Sequence, residues 1–162
     1  MHDALIDFTR SLPVWLQWGA VMLISAIPFI ESHFGAMIGV LAGVPAPIAI
    51  VAAVVGNALS VLGFILAADA GRRKVLERRA AGGAEPTEPS RRRQRVRRVF
   101  DRFGVPGVGL VGQMIVPNQI TAGMMVSFGA RRTAVIVWQL VGIVIWAVAF
   151  GLLAQAGLAI VR

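Results

Sequence analysis

Four long apolar runs without any charged residue constrain this chain more than any other feature; they cover residues 11–30, 34–68, 103–130 and 133–161. Each is longer than the roughly 18 residues that mark a candidate membrane-spanning helix. The chain is 57% hydrophobic and only 15% charged, which is unlike a soluble domain of 162 residues. It has no cysteine, so disulfide bonds, thiol catalysis and thiolate metal sites are excluded. The sequence therefore predicts an all-α integral membrane protein.

Proline and glycine interrupt two of these runs. Run 34–68 is too long for one span and too short for two spans with a loop, and it is broken around Pro45 and Pro47, which lack a backbone donor. Run 103–130 has Pro106 and several glycines in its first half and Pro117 near its middle. We therefore expect about three full transmembrane helices plus two re-entrant or broken-helix hairpins. The predicted segments are a helix at 14–30, a re-entrant segment plus helix at 33–68, a re-entrant hairpin at 103–130 and a helix at 133–160.

The segment between the second and third runs predicts the orientation in the membrane. Residues 69–102 carry twelve basic and five acidic side chains, and positively charged loops stay in the cytoplasm. The N-terminus is then cytoplasmic too. The first run is expected to be retained, because the N-terminal segment, with Asp3 and Asp7, is acidic rather than basic and no small-residue cleavage site of a signal peptide follows Ile30. The two hairpin-plus-helix segments acquire opposite orientations, which is an inverted repeat. An offset of 86 positions aligns Gly43 with Gly129 and Phe64 with Phe150.

Within this loop, residues 80–90 have the composition of a flexible linker, and an amphipathic basic helix is predicted to follow from Ser90. Its apolar residues recur at helical spacing among arginines, which is typical of a helix lying on an anionic membrane surface. The expected contacts with anionic lipids of the inner leaflet are Arg91, Arg92, Arg93, Arg95, Arg97 and Arg98. A nucleic-acid patch is the alternative for the same charges, and we expect no nucleic-acid partner because the loop is short and tethered to the membrane.

Glu31 lies in the three-residue gap between the first and second apolar runs and is the only acidic side chain embedded in apolar sequence. An ionisable residue in the membrane is costly and by default indicates a substrate, ion or proton site. Desolvation favours the neutral carboxyl group, so Glu31 is suited to exchange a proton for a cationic substrate. The alternative is that Glu31 lies where a helix reaches the surface, next to Ser32 and His33. His33 is either a proton relay or a residue at the headgroup boundary without a function.

Uncharged polar side chains accompany the breaks, and two interpretations of them stay open. They either satisfy backbone groups freed near the prolines or line a pathway, because irregular backbone at membrane depth needs a protein or water environment. With Glu31 and His33, the candidate proton-coupling or substrate residues are Asn57, Gln113, Asn118, Gln119 and Gln139. The chain has no hydrolase, metalloprotease or phosphate-binding motif, so we expect neither an enzyme nor a cofactor or metal.

The segment from Pro28 to Ala36, the later Val55-Gly56-Asn57, the basic loop and the hairpin centred on Pro117 resemble the small multidrug export protein family of bacteria. That family is distantly similar to the DedA membrane proteins, whose first hairpin carries an acidic residue. The resemblance implies that Glu31 occupies that position and that the chain lies in the bacterial inner membrane. It departs from the DedA pattern in the second hairpin, where Gln113 and Gln119 stand nearest to the expected arginines.

The leading hypothesis from these observations is proton-coupled export of small lipophilic or cationic compounds. A DedA-like lipid translocase or scramblase and a non-transporting membrane scaffold are the alternatives. Because three spans and two hairpins are few to enclose a pathway, we also expect a homodimer.

Overall fold

The computed structural model describes residues 2–80 and 91–161, and within them every regular element is helical. The all-α prediction is therefore confirmed for the described part of the chain. The helices are α1 (His2–Ser11), α2 (Val14–Ser25), α3 (Glu31–Leu41), α4 (Ala46–Ala80), α5 (Arg91–Leu110), a short 3-10 helix (Gly112–Met114), α6 (Asn118–Ser127) and α7 (Arg132–Val161).

Two of the described helices are long and apolar enough to cross a membrane. They cover Ala46–Glu77 in α4 and Arg132–Ile160 in α7, each with a mean hydropathy of 2.4. Only 39% and 33% of their most apolar stretches are buried within the protein. The core helix of a soluble protein is mostly buried, so these two helices are compatible with membrane spans.

The first apolar run differs from its expected course. The helix predicted over 14–30 ends at Ser25, and α2 has 12 residues, too few to span a bilayer. Pro28 follows three residues later and has no amide hydrogen to continue the helix. The backbone then turns through Phe29, whose φ of 77° is left-handed, before α3 begins at Glu31. The first hairpin is thus formed by α2 and α3, with its turn at residues 26–30.

Other boundaries also differ from the prediction. The N-terminal segment forms α1, and α4 continues beyond residue 68 to Ala80, into the segment that was expected to be loop. Residues 69–80 are rich in strong helix formers, and Asp69 pairs with Arg73 one turn later at 2.9 Å. The linker predicted at 80–90 and the N-cap predicted at Ser90 lie outside the described residues, apart from Ala80 at the end of α4.

The prolines act at helix ends. Pro45 lies between α3 and α4, and Pro117 is the N-cap residue of α6, as expected for breaks. Pro47 instead lies in the first turn of α4, where a missing amide hydrogen has no cost. Pro106 follows a kink in α5 at Gly104, whose φ of 65° and ψ of −164° are not helical.

The described chain forms two compact units. Unit 1 contains residues up to Ser60 and from Gly142 onward, and unit 2 contains Val61–Val141. Unit 1 has a core of small side chains, including Val21, Ala36 and Ala49. An added Cβ on Gly39 would lie 2.9 Å from the Cβ of Ala49 and from a methyl group of Val21. The small residues on α3 therefore serve close helix packing within this unit.

The predicted offset of 86 positions recurs in the helix boundaries. α3 ends at Leu41 and α6 at Ser127, while α4 begins at Ala46 and α7 at Arg132, so the members of each pair are 86 residues apart. The orientation of this repeat in a membrane stays a prediction.

The helix caps repeat in the same register. Gly43 and Gly129 follow the ends of α3 and α6 with φ values of 100° and 101°. The amides of Gly43 and Val44 donate to the carbonyls of Val40 and Gly39, both at 3.0 Å. The amides at 129 and 130 repeat this pattern with the carbonyls at 126 and 125, at 3.0 and 3.1 Å. Both helices thus end in a Schellman motif.

Candidate functional site

Three consecutive polar side chains are buried in the first turn of α3, in unit 1. Glu31 and Ser32 are each 1% exposed and His33 is 6% exposed. The Glu31 side chain is therefore covered by the rest of the protein, and the alternative that its helix reaches the membrane surface at this point stays a prediction. Burying polar groups costs free energy unless they have polar partners, so the groups around these three side chains determine what they can do chemically.

The backbone that presents Glu31 is strained. Phe29 has a φ of 77° and Glu31 has a φ of 55°, and both are non-glycine residues in the left-handed region. Each such residue costs on the order of 1–3 kcal/mol and persists only where the surrounding structure enforces it. The strain follows from the turn at Pro28, which must reverse the chain within the five residues between α2 and α3.

His33 is held beside Glu31 by aromatic rings. Its Nδ1 lies 3.9 Å from the Glu31 Oε2, which is longer than a hydrogen bond but within the range of a strong electrostatic interaction. The imidazole packs on Phe34 and Phe150, with ring centroids 4.5 and 5.2 Å away. Within the described residues, His33 Nδ1 has no hydrogen-bond partner. The two titratable groups are therefore close neighbours that are not hydrogen-bonded to each other.

Serine hydroxyl groups fasten the turn to the long helices of unit 1. Ser32 Oγ donates to the carbonyl of Ile143 at 3.0 Å, and Ser60 Oγ donates to the carbonyl of Ala26 at 2.9 Å. The second bond reaches the carbonyl of the C-cap residue of α2. The sequence analysis did not identify either serine as a positioning residue. For Ser32 the available signal was that a hydroxyl residue directly follows Glu31. Asn57 of α4, fully buried at 0%, belongs to the same unit.

A second polar cluster lies in unit 2, at the start of α6. The Gln139 side-chain amide donates to Thr121 Oγ1 at 3.1 Å and to the Asn118 carbonyl at 3.4 Å. Thr121 Oγ1 also donates to that carbonyl, at 3.0 Å. Asn118, Gln119 and Gln139 are each 0% exposed. These bonds join the start of α6 to α7.

Gln113 belongs to this hairpin as well. It is 5% exposed, and its amide donates to the Leu110 carbonyl at the end of α5, at 3.4 Å. The candidate residues predicted from the sequence thus fall into two sets. Glu31, His33 and Asn57 belong to unit 1, and Gln113, Asn118, Gln119 and Gln139 belong to unit 2.

The two clusters occupy equivalent positions in the repeat. Ser32 and Asn118, and likewise His33 and Gln119, are 86 residues apart and lie in the first turn of α3 and of α6. The counterpart of Glu31 is Pro117. The α3 cluster therefore carries titratable groups where the α6 cluster carries only amide and hydroxyl groups. Among the described residues, no group of three or more histidine, aspartate or glutamate side chains could hold a metal ion.

No protein-family model, curated protein or solved structure matches the chain. The resemblance to the small multidrug export proteins therefore stays a prediction from the residues quoted for it.

An apolar groove lies on unit 1 between α2 and α4. It has a volume of about 570 Å³ and is lined by Trp18, Met22, Pro47, Ile48, Val51, Ala52 and Val55. Gly56 allows α2 and α4 to approach each other closely at this groove, because an added Cβ at position 56 would overlap the backbone carbonyl of Met22.

The predicted lipid-contact arginines lie on α5. Arg91, Arg97 and Arg98 are exposed, whereas the side chains of Arg92, Arg93 and Arg95 lie outside the described part of the structure.

Proposed function

We propose that the protein is a small multi-pass membrane transporter that couples the export of small lipophilic or cationic compounds to proton movement. The observation that carries this proposal is the buried Glu31, 1% exposed, on a strained backbone beside His33. Strain of this kind is concentrated at functional sites, and a carboxyl group held within an apolar unit is expensive to keep without a role.

Membrane insertion is supported by the apolar side chains that α4 and α7 leave uncovered. Val51 and Leu59 of α4 are 62% and 60% exposed, and Leu152 and Leu153 of α7 are 53% and 67% exposed. Leaving such side chains in water forgoes roughly 1.5–3 kcal/mol for each one that could be buried, whereas lipid removes this cost. We place the chain in the bacterial inner membrane, with residues 69–102 in the cytoplasm.

In the proposed coupling, a proton and a cationic substrate compete for the Glu31 carboxyl group. In the apolar unit the protonated form of Glu31 is favoured until a cation approaches, and a bound cation then favours the carboxylate and releases the proton. The Nδ1 atom of His33 lies 3.9 Å from the Glu31 carboxyl group. The groove of about 570 Å³ has a size suited to the apolar body of a small lipophilic compound.

The deciding experiment measures proton release in proteoliposomes when lipophilic cations such as tetraphenylphosphonium are added. Glu31→Gln keeps the shape and polarity of the side chain but removes its proton exchange. We expect this variant to lower coupled flux at least about tenfold, because the remaining amide cannot trade a proton for a cation. Glu77→Gln is the matched control, since Glu77 is exposed on α4, and its flux should stay at the wild-type level.

Both variants must elute as the wild type does in gel filtration before their fluxes are compared. Unchanged flux in Glu31→Gln would refute the role of this carboxyl group. Absence of flux in the wild type as well would refute the transport proposal, and a lipid-flipping assay on the same vesicles would then test the translocase alternative.

A further inference from the structure

Helix α5 consists of two segments with different chemistry. Residues 91–103 contain seven arginines and one acidic residue, whereas residues 105–110 are uncharged. Gly104 separates them with a non-helical backbone, φ 65° and ψ −164°. The basic segment therefore has its own direction, and the apolar run of the hairpin begins immediately after it.

The basic segment is docked on α6 by one arginine and one aromatic ring. The Arg97 guanidinium carbon lies 5.1 Å from the ring centroid of Phe128, the C-cap residue of α6. The ring of Phe100 lies 5.8 Å from the same ring. Arg97 also donates to both carboxylate oxygens of Asp101, at 3.0 and 3.1 Å. These contacts hold the segment at the C-terminal end of α6, within unit 2.

The outer side of the segment combines positive charge with an apolar ring. Arg98 and Arg102 are exposed, and Phe103 is 57% exposed. The Arg102 guanidinium carbon lies 5.1 Å from the ring centroid of Phe103. A cation next to an exposed ring, directly before an apolar run, suits the boundary between lipid headgroups and acyl chains.

We propose that residues 91–103 form a binding surface for anionic phospholipids of the membrane that contains the protein. Charge complementarity selects an anionic partner, because arginine outnumbers aspartate seven to one in this segment. The covalent connection through Gly104 to the apolar hairpin selects lipid over a soluble polyanion, since it keeps the segment at the membrane surface. This surface lies apart from Glu31 in the chain, and the proposal needs membrane insertion but no transport.

A spin label reports the contact directly. The chain has no cysteine, so Gln94→Cys, at an exposed position of α5, introduces a single labelling site. The labelled protein is reconstituted into vesicles of phosphatidylcholine alone or with about 30 mol% phosphatidylglycerol. We expect the anionic lipid to lower the label's accessibility to a water-soluble nickel chelate at least about twofold, and about 0.5 M salt to reverse the change by screening.

Matched variants in the labelled chain distinguish the effect of the arginines in this segment from the effect of the protein's net charge. Arg91→Gln, Arg98→Gln and Arg102→Gln together should abolish the response, since each arginine is worth about a fivefold change in lipid partitioning. Replacing Arg73, Lys74 and Arg131 of the same unit by glutamine also removes three charges and should leave the response intact. Arg→Lys at positions 91, 98 and 102 keeps the charges and should retain it as well.

Equal accessibility in both kinds of vesicle would overturn the proposal, as would the same response in both glutamine triples. Binding of a DNA oligonucleotide in a mobility-shift assay, without a response to phosphatidylglycerol, would assign the charges to nucleic acid instead. The readout involves no flux, so its failure is distinct from a failure of Glu31→Gln.

Discussion

At the scale of single residues, the sequence could identify Glu31 but not how it is held. A lone acidic residue between apolar runs is visible without a structure. The left-handed backbone of Phe29 and Glu31 is not visible, because non-glycine residues rarely adopt it and only the surrounding packing enforces it. The hydroxyl groups of Ser32 and Ser60 escaped prediction for a related reason, since their carbonyl partners are 111 and 34 residues away in the chain.

Gly56 offers a test of the packing that supports this turn. A Cβ at position 56 would overlap the backbone of Met22, and backbone cannot move aside as a flexible side chain can. We expect Gly56→Ala to lower stability by roughly 1–3 kcal/mol, measured as a lower thermal unfolding temperature in detergent. Gly63→Ala on the same helix is the control, because nothing lies within 4 Å of its added Cβ. Equal unfolding temperatures for the two variants would contradict the close approach of α2 and α4.

At the scale of elements, proline predicted the breaks better than length predicted the spans. The break at Pro117 was expected, and the structure has it as the N-cap of α6. The end of α2 at Ser25 was not expected, because the run 11–30 is long enough for a span and its two prolines, Pro13 and Pro28, lie near its ends. The extension of α4 to Ala80 was not predicted, because the last turns of this helix are charged and end the apolar pattern. Their residues nevertheless have high helix propensity, so the helix continues.

The matching caps of α3 and α6 carry a prediction at this scale. Gly43 and Gly129 have φ values near 100°, and an added Cβ meets nothing closer than 3.5 Å at either position. Gly43→Ala and Gly129→Ala should therefore each lower stability by about 1–2 kcal/mol through backbone strain alone. Gly157→Ala, inside α7 with open space around its added Cβ, should raise stability slightly. Thermal unfolding of the three variants checks this, and a clear difference between the two cap variants would show that their surroundings are not equivalent.

At the scale of the whole molecule, the sequence suggested one site and the structure has two polar clusters in two units. Apolar patterning could indicate which residues are polar within hydrophobic runs, and all of the candidates from Glu31 to Gln139 are indeed buried. It could not indicate which of them share a unit, because that depends on contacts between distant segments. The bond from Gln139 to Asn118 is such a contact, formed where α7 passes the start of α6.

The composition of the two units limits where the gene can be divided. Unit 1 takes residues from both ends of the chain, and unit 2 takes residues from both sides of the segment 81–90. Two cistrons encoding residues 1–85 and 86–162 would therefore each supply only part of either unit. We expect the fragments to be degraded when expressed singly and to co-purify when expressed together through an affinity tag on one of them. Stable accumulation of either fragment alone would mean that half of this chain is a self-sufficient folding module.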